Sequence, residues 1–138
     1  MSINYEKLLE LRNRKVGFNH DIGLNFTRIE EGYAEAELPI EERHLNPLGT
    51  VHGGCTFTLM DAVGGSAAIS YGYLITTASS HVLFINAARN TKKLRAVAKA
   101  IKAGRTLIDI DVEVFDDADE MVAKATFVFF RLGEKIGV

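Results

Sequence analysis

The sequence predicts an α+β domain in which a curved antiparallel sheet wraps around one central helix. Two observations carry this. The stretch from Gly53 to about Tyr71 is apolar nearly all round, with Phe57, Leu59, Met60, Val63, Ala67, Ala68 and Ile69, and is too long for a strand. A helix apolar on every side must be buried on every side. The chain on either side of it reads as alternating strand patterns, so the sheet can supply that cover. With 138 residues, 47% hydrophobic and 25% charged, there is room for one core, and residues 1–138 are expected to form a single domain. Such a chain can surround one helix by wrapping a sheet around it and letting a partner chain cover the rest.

The elements follow in order. Tyr5, Leu8, Leu9 and Arg12 fall on one stripe of a short amphipathic helix. Ile22, Leu24 and Phe26 alternate with polar or small residues. After the turn signal Glu30-Glu31-Gly32, Ala34, Ala36 and Leu38 alternate with Glu35 and Glu37, which describes a hairpin with one wet face. Glu41 to Gly49, with Asn46-Pro47, is a loop. The apolar helix is not a membrane span, because Asp61 sits in its middle among frequent Gly, Ser and Thr. Thr76 to Ala88 reads as a strand. Lys93 to Ala103 and Arg105 to Phe115 then form a hairpin around Gly104, with Lys99 expected opposite Asp109 and Arg95 opposite Glu113. A turn at Asp116 to Asp119 is expected to pair Val114 with Met121, Val112 with Ala123 and Ile108 with Phe127, leaving Lys124 opposite Asp111. No repeat, linker or low-complexity segment interrupts this plan.

Composition excludes several functions. A formal net charge of −2 argues against a nucleic-acid binder that relies on overall basicity. Residues 1–15 mix charged and apolar side chains and offer no secretion signal, so a cytoplasmic protein is expected, not bound to membrane. Cys55 is the single cysteine, which excludes an intrachain disulfide and a cysteine-based metal cluster. His20, His44 and His81 show no ligand spacing, so neither a metal nor another cofactor is expected. A Ser-His-Asp triad lacks support too: Ser66, Ser70, Ser79 and Ser80 have no nucleophile-elbow context. Cys55 lies near a helix N-terminus, where a thiolate is favoured, yet a free cysteine is more often a small buried residue.

Between His52 and Arg89 the one formally charged side chain is Asp61, on the apolar helix. A carboxylate in such surroundings costs several kcal/mol if ionised and unpaired. Asp61 is therefore either a buried group satisfied by hydrogen bonds or a functional one. Upstream, Asn46-Pro-Leu-Gly-Thr-Val-His52-Gly53-Gly54 ends where the helix begins, so the N–H groups around Gly53 and Gly54 lack intrahelical partners. Glycine admits close approach, and the helix dipole favours negative charge there, as an oxyanion requires. Gly-Gly can equally serve only to turn the loop into the helix. Asp61 lies about 12 Å further along the same helix, too far for both groups of one chain to act on one small carbonyl. A two-fold dimer with helices side by side would set the Asp of one chain opposite the Gly-Gly of the other.

Asn46-x-x-Gly49-x-x-His52-Gly53-Gly54, followed by Asp61 and Gly65, resembles the signature of the PaaI-like, phenylacetate-pathway type of hotdog-fold thioesterases, a group that includes the mammalian thioesterase superfamily member 2 type. The resemblance spans nearly the whole chain. It implies the hotdog fold, hydrolysis of an aryl- or medium/long-chain acyl-CoA to free acid and CoA, and a homodimer that stacks as a dimer of dimers. It implies that the Gly53 N–H polarises the thioester carbonyl, with Gly54 beside it and His52 shaping the pocket. Asp61 of the neighbouring chain would be general base or nucleophile, Asn46 would orient thioester or water, and Ser80 matches a family serine or threonine that holds the water or carboxylate. Arg89, Lys92 and Arg105, the bases left over at strand ends, match positions that contact the CoA nucleotide. Two competing readings remain: a hotdog hydratase or dehydratase, and a non-catalytic acyl-CoA sensor.

Overall fold

In the computed structural model, which describes residues 2–138, two helices, α1 (Tyr5–Arg12) and α2 (Phe18–Asp21), precede a hairpin of β1 (Asn25–Glu30) and β2 (Tyr33–Pro39). A 3-10 turn (Glu42–His44) leads to α3 (Gly53–Ile69). Four strands follow: β3 (Tyr73–Phe84), β4 (Lys93–Ala103), β5 (Leu107–Phe115) and β6 (Met121–Lys135). All strand pairs are antiparallel, in the order β1-β2-β4-β5-β6-β3. The expected α+β plan is the one the chain adopts.

Helix α3 lies against all six strands. Leu59, Met60, Val63, Ala67 and Ala68 are fully buried, as the apolar sequence requires. Phe127 and Phe129 fill the concave face beneath it, their rings 5.8 Å apart, and Phe57 meets Phe127 at 5.6 Å. Gly64 lets helix and sheet approach: a Cβ there would stand 3.2 Å from the Phe129 ring and 3.4 Å from Val112. Bulges in β1, β3, β4 and near the β5–β6 turn bend the sheet around the helix.

Several boundaries and registers differ from the sequence expectation. The first strand starts at Asn25, not near Ile22, because Ile22 closes the turn of α2 by donating its N–H to Phe18 O. The strand expected over Thr76 to Ala88 runs Tyr73–Phe84. It begins directly after Gly72, at φ +98°, and it ends where Ile85 and Asn86 both donate to Val122 O and the chain turns to pair Ala88 with Val51. Between β4 and β5 the register is offset by two residues. Lys99 faces Asp111 and Arg95 faces Phe115, because the longer connection through Thr106 shifts the pairing beside the turn by three residues, Ala103 facing Ile108, and a bulge at Ile101 takes one back. β5 and β6 are also offset by two. Val114 faces Ala123, Val112 faces Ala125, Ile110 faces Phe127 and Ile108 faces Phe129, because the turn supplies one residue of offset, Phe115 facing Met121, and the bulge at Val122 the other; Lys124 falls opposite Glu113 instead of Asp111. An offset of two keeps every side chain on its face, so the core composition is the expected one.

Among the described residues no helix is long and apolar enough to cross a membrane. Phe127, fully buried between helix and sheet, cannot be truncated without leaving a void. Phe127→Ala is expected to destabilise the protein by about 3–5 kcal/mol, read as a lower urea midpoint.

Candidate active site

The loop before α3 is built on its own side chains. Asn46 Oδ1 accepts from the N–H groups of Leu48 (3.0 Å) and Thr50 (3.1 Å), and its Nδ2 donates to Thr50 Oγ1 (2.8 Å). One amide hydrogen of Asn46 remains for another partner. The buried His44 ring accepts the Glu41 N–H at Nδ1 (2.8 Å) and meets Ile22 O through Nε2 (2.7 Å), while its carbonyl receives the His52 N–H (2.8 Å). His44 is thus a hub that fixes the approach to the helix.

His52 caps α3: its Nδ1 accepts the Gly54 N–H at 2.8 Å. With that nitrogen as acceptor, the neutral ring carries its proton on Nε2. The Gly54 N–H is therefore occupied, whereas the Gly53 N–H has no hydrogen-bond partner among the described residues. A cavity of about 290 Å³ adjoins it, lined by Asn46, Thr50, Gly53, Thr56, Phe84 and Val122. The positive end of the α3 dipole and one free backbone donor face this space.

Asp61 is not part of that cavity; it lies further along the helix, half-buried, where Thr77 Oγ1 of β3 donates to its Oδ1 at 2.6 Å. This bond fixes one carboxylate oxygen, and Oδ2 has no partner among the described residues. Thr77 was missed by the sequence reading, which looked to Ser80. Ser80 sits three residues on, exposed and opposite Phe127, with no side-chain hydrogen bond among the described residues. The strand position of Thr77 became decidable only once the bulge at Ala78 was known.

The three bases separate. Arg89, with Nη1 3.3 Å from Leu48 O, and Lys92, whose N–H donates to Asp117 Oδ2 at 2.8 Å, lie at the Gly53 end of the sheet. Arg105 lies beyond the other end of β5, about 26 Å away along the strand, so one subunit cannot bring all three to one ligand. Among the described residues no group of three His, Cys, Asp or Glu is arranged to hold a metal.

The family model described as the thioesterase superfamily matches residues 48–123, from the loop that presents Gly53 through β3, β4 and β5 to the start of β6. The chain belongs to the thioesterase superfamily. Among curated relatives of this thioesterase, the proofreading thioesterase EntH of Klebsiella pneumoniae is 29% identical over 102 residues, covering 70% of this chain and 72% of that one. A Streptococcus mutans structure bound to acetyl CoA superposes with a TM-score of 0.81 at 27% identity, covering 88% of this chain and 97% of that one. The E. coli PaaI protein of the phenylacetic acid degradation operon shares the fold, with a TM-score of 0.82 at 22% identity over 85% of each chain. The architecture is the PaaI-like hotdog fold, and the chain is a thioester hydrolase on it.

Cys55, directly after the glycine pair, is half-buried, and burial pushes its thiol pKa up despite the opposing pull of Arg43. The thiolate favoured by a helix N-terminus does not prevail here. Alkylation of Cys55 by iodoacetamide at neutral pH is expected to be slower than that of free cysteine and to keep accelerating as pH rises beyond the ordinary thiol range.

Proposed function

We propose that this thioesterase hydrolyses acyl-CoA thioesters with aryl or medium- to long-chain acyl groups, in a site shared by two chains. The observation that carries the proposal is the separation on one helix of an unused Gly53 N–H and a Thr77-held Asp61. They stand about 12 Å apart along α3, so one chain cannot apply both to a single carbonyl. A second copy can close the gap. β3 is a twelve-residue edge strand with one side unpaired, and Leu83, Phe84 and Ile85 beside Gly53 are about half exposed, at 53%, 58% and 48%. An unpaired edge of that length, with exposed apolar residues at one end, favours pairing with its own two-fold mate, which sets the helices side by side.

In that arrangement the thioester oxygen accepts the Gly53 N–H of one chain, with the His52 Nε2–H and the remaining Asn46 N–H on the same wall. Asp61 of the other chain either takes a proton from the attacking water or adds to the carbonyl itself. Charge building on oxygen is held by the prepared donor and the helix dipole, and the bond to sulfur breaks with release of CoA. Thr77 orients the carboxylate from within its own chain. Ser80, on the same edge strand, stands at the seam between copies. Arg89 and Lys92, at the Gly53 end, suit the CoA phosphates, while Arg105 could serve only from a different subunit. The bound acetyl CoA of the Streptococcus mutans relative supports this substrate class.

Gly53 offers an unusually clean deletion of a backbone donor. It is the first helical residue, His52 before it is already extended at φ −60° and ψ 132°, and added atoms would meet the Phe84 ring at an ordinary 3.5 Å. Gly53→Pro is therefore expected to stay folded and to release thiol from acyl-CoAs roughly 10²–10³-fold more slowly. Asp61→Asn should be slower by a similar or larger factor. Refolded together, these two inactive variants should regain about a quarter of wild-type activity, because half the dimers then hold one site with both groups intact. No recovery in the mixture would show that the two residues act within one chain.

A further inference from the structure

The segment joining α1 to β1 is pinned over α3 by Asn13, whose Nδ2 donates to Phe26 O (2.7 Å) and whose Oδ1 accepts the Phe26 N–H (2.8 Å). Arg12, the residue before it, is held differently. Its Nε donates to Ser66 Oγ (2.9 Å), its Nη2 donates to Ala62 O (3.2 Å), and the guanidinium lies 5.0 Å over the Phe26 ring. Every one of these partners is uncharged. Among the described residues Arg12 has no ion pair, and its Nη1 has no hydrogen-bond partner. Burial pulls the Arg12 pKa down, and the field of Asp61 opposes that pull without a direct contact. A half-buried cation with no bonded anion offers an arriving carboxylate a charged partner.

Arg12 also lines a cavity of about 470 Å³, whose apolar wall includes Leu11, Val16, Phe18, Leu24, Ile69 and Leu74. Asn13 lines it too, but its amide is already consumed by Phe26. The anchors of Arg12 on α3 are Ala62, which directly follows Asp61, and Ser66, five residues further than Asp61 and about 140° round the helix from it. The guanidinium lies within the field of Asp61, so a medium-length acyl group whose thioester stands at Asp61 can turn toward it. The open Nη1 and the second Nη2 hydrogen form a fork suited to two carboxylate oxygens.

We infer that Arg12 determines substrate specificity by receiving a carboxylate at the far end of the acyl group, so that the preferred substrates are CoA half-thioesters of medium-length dicarboxylic acids. This rests on the reading of Asp61 as the reacting carboxylate and adds to it what the acyl group carries. The methylenes lie along the apolar wall, and the terminal charge completes the Arg12 site.

The test is a matched pair, hexanoyl-CoA and adipoyl-CoA, which differ by a terminal carboxylate. Wild type is expected to favour adipoyl-CoA in kcat/KM by about tenfold or more, as a charged hydrogen bond would give. Arg12→Met should lose that preference by slowing adipoyl-CoA while sparing hexanoyl-CoA. Arg12→Lys should recover only part of it, since an ammonium cannot reproduce the fork. Equal kcat/KM for the pair in wild type, or an equal loss on both in Arg12→Met, overturns the inference. Binding of the same two thioesters to folded Asp61→Asn, measured by calorimetry, decides the matter without turnover. Tighter adipoyl-CoA binding upholds Arg12 even if the Asp61 mechanism fails, and equal binding rejects it even if Asp61 proves catalytic.

Discussion

A helix that is apolar nearly all round is the constraint from which the rest of the structure follows. α3 carries Leu59, Met60, Val63, Ala67 and Ala68 on successive faces, and each of them is fully buried. A sheet of six strands can enclose most of such a cylinder only if it bends, hence the bulges in β1, β3 and β4 and the small Gly64 where the helix meets Phe129. The enclosure is incomplete along β3. Thr76 to Ser80 are exposed although they lie beside the most apolar element of the chain. The same constraint that builds the fold therefore leaves β3 as an edge that no other strand of this chain covers.

Helix and sheet were legible in the sequence because their periodicities are strong and redundant. The α3 span ends within two residues of its expected limit at Tyr71. The strand registers were less legible for a definite reason. Acids stand at every second residue of β5, Asp109, Asp111 and Glu113, so Lys99 finds an acid whether it faces Asp109 or Asp111. Alternation fixes which face a residue occupies; turn length and bulges fix which residue it meets. Neither the bulge at Ile101 nor the one at Val122 has a composition signal in this chain.

The site divides in the same way. Asn46, His52 and Gly53 fall within eight residues of sequence and lie together in the structure, because the loop that holds them is closed by its own side chains and by His44. Asp61 could be singled out because it is charged where nothing else is. Thr77 and Arg12 could not. Thr77 is one hydroxyl residue in a strand that also offers Thr76, Ser79 and Ser80, and only the bulge after it decides which one meets Asp61. Arg12 reads as an ordinary cation in the last turn of an amphipathic helix, where it complements the α1 dipole. Its bonds to Ala62 and Ser66 reach 50 and 54 residues along the chain, and no local pattern announces them.

Placing the proposed oxyanion donor, Gly53, and the proposed reacting carboxylate, Asp61, on one rigid helix has a mechanical consequence. The distance between them within a chain is set by helix geometry and does not change with loop motion. In a two-fold pair, the distance that matters runs from Gly53 of one helix to Asp61 of the other, so it depends on how far the helices slide past each other. Pairing along β3 allows that offset only in steps of the strand repeat, since each step must restore the backbone hydrogen bonds. The bulge at Ala78, next to the threonine that holds Asp61, breaks that repeat in the middle of the edge strand. A bulge there links the register available to a second copy with the orientation of the carboxylate. In the proposed dimer, assembly and alignment of the reacting groups are then fixed by one local feature of the backbone.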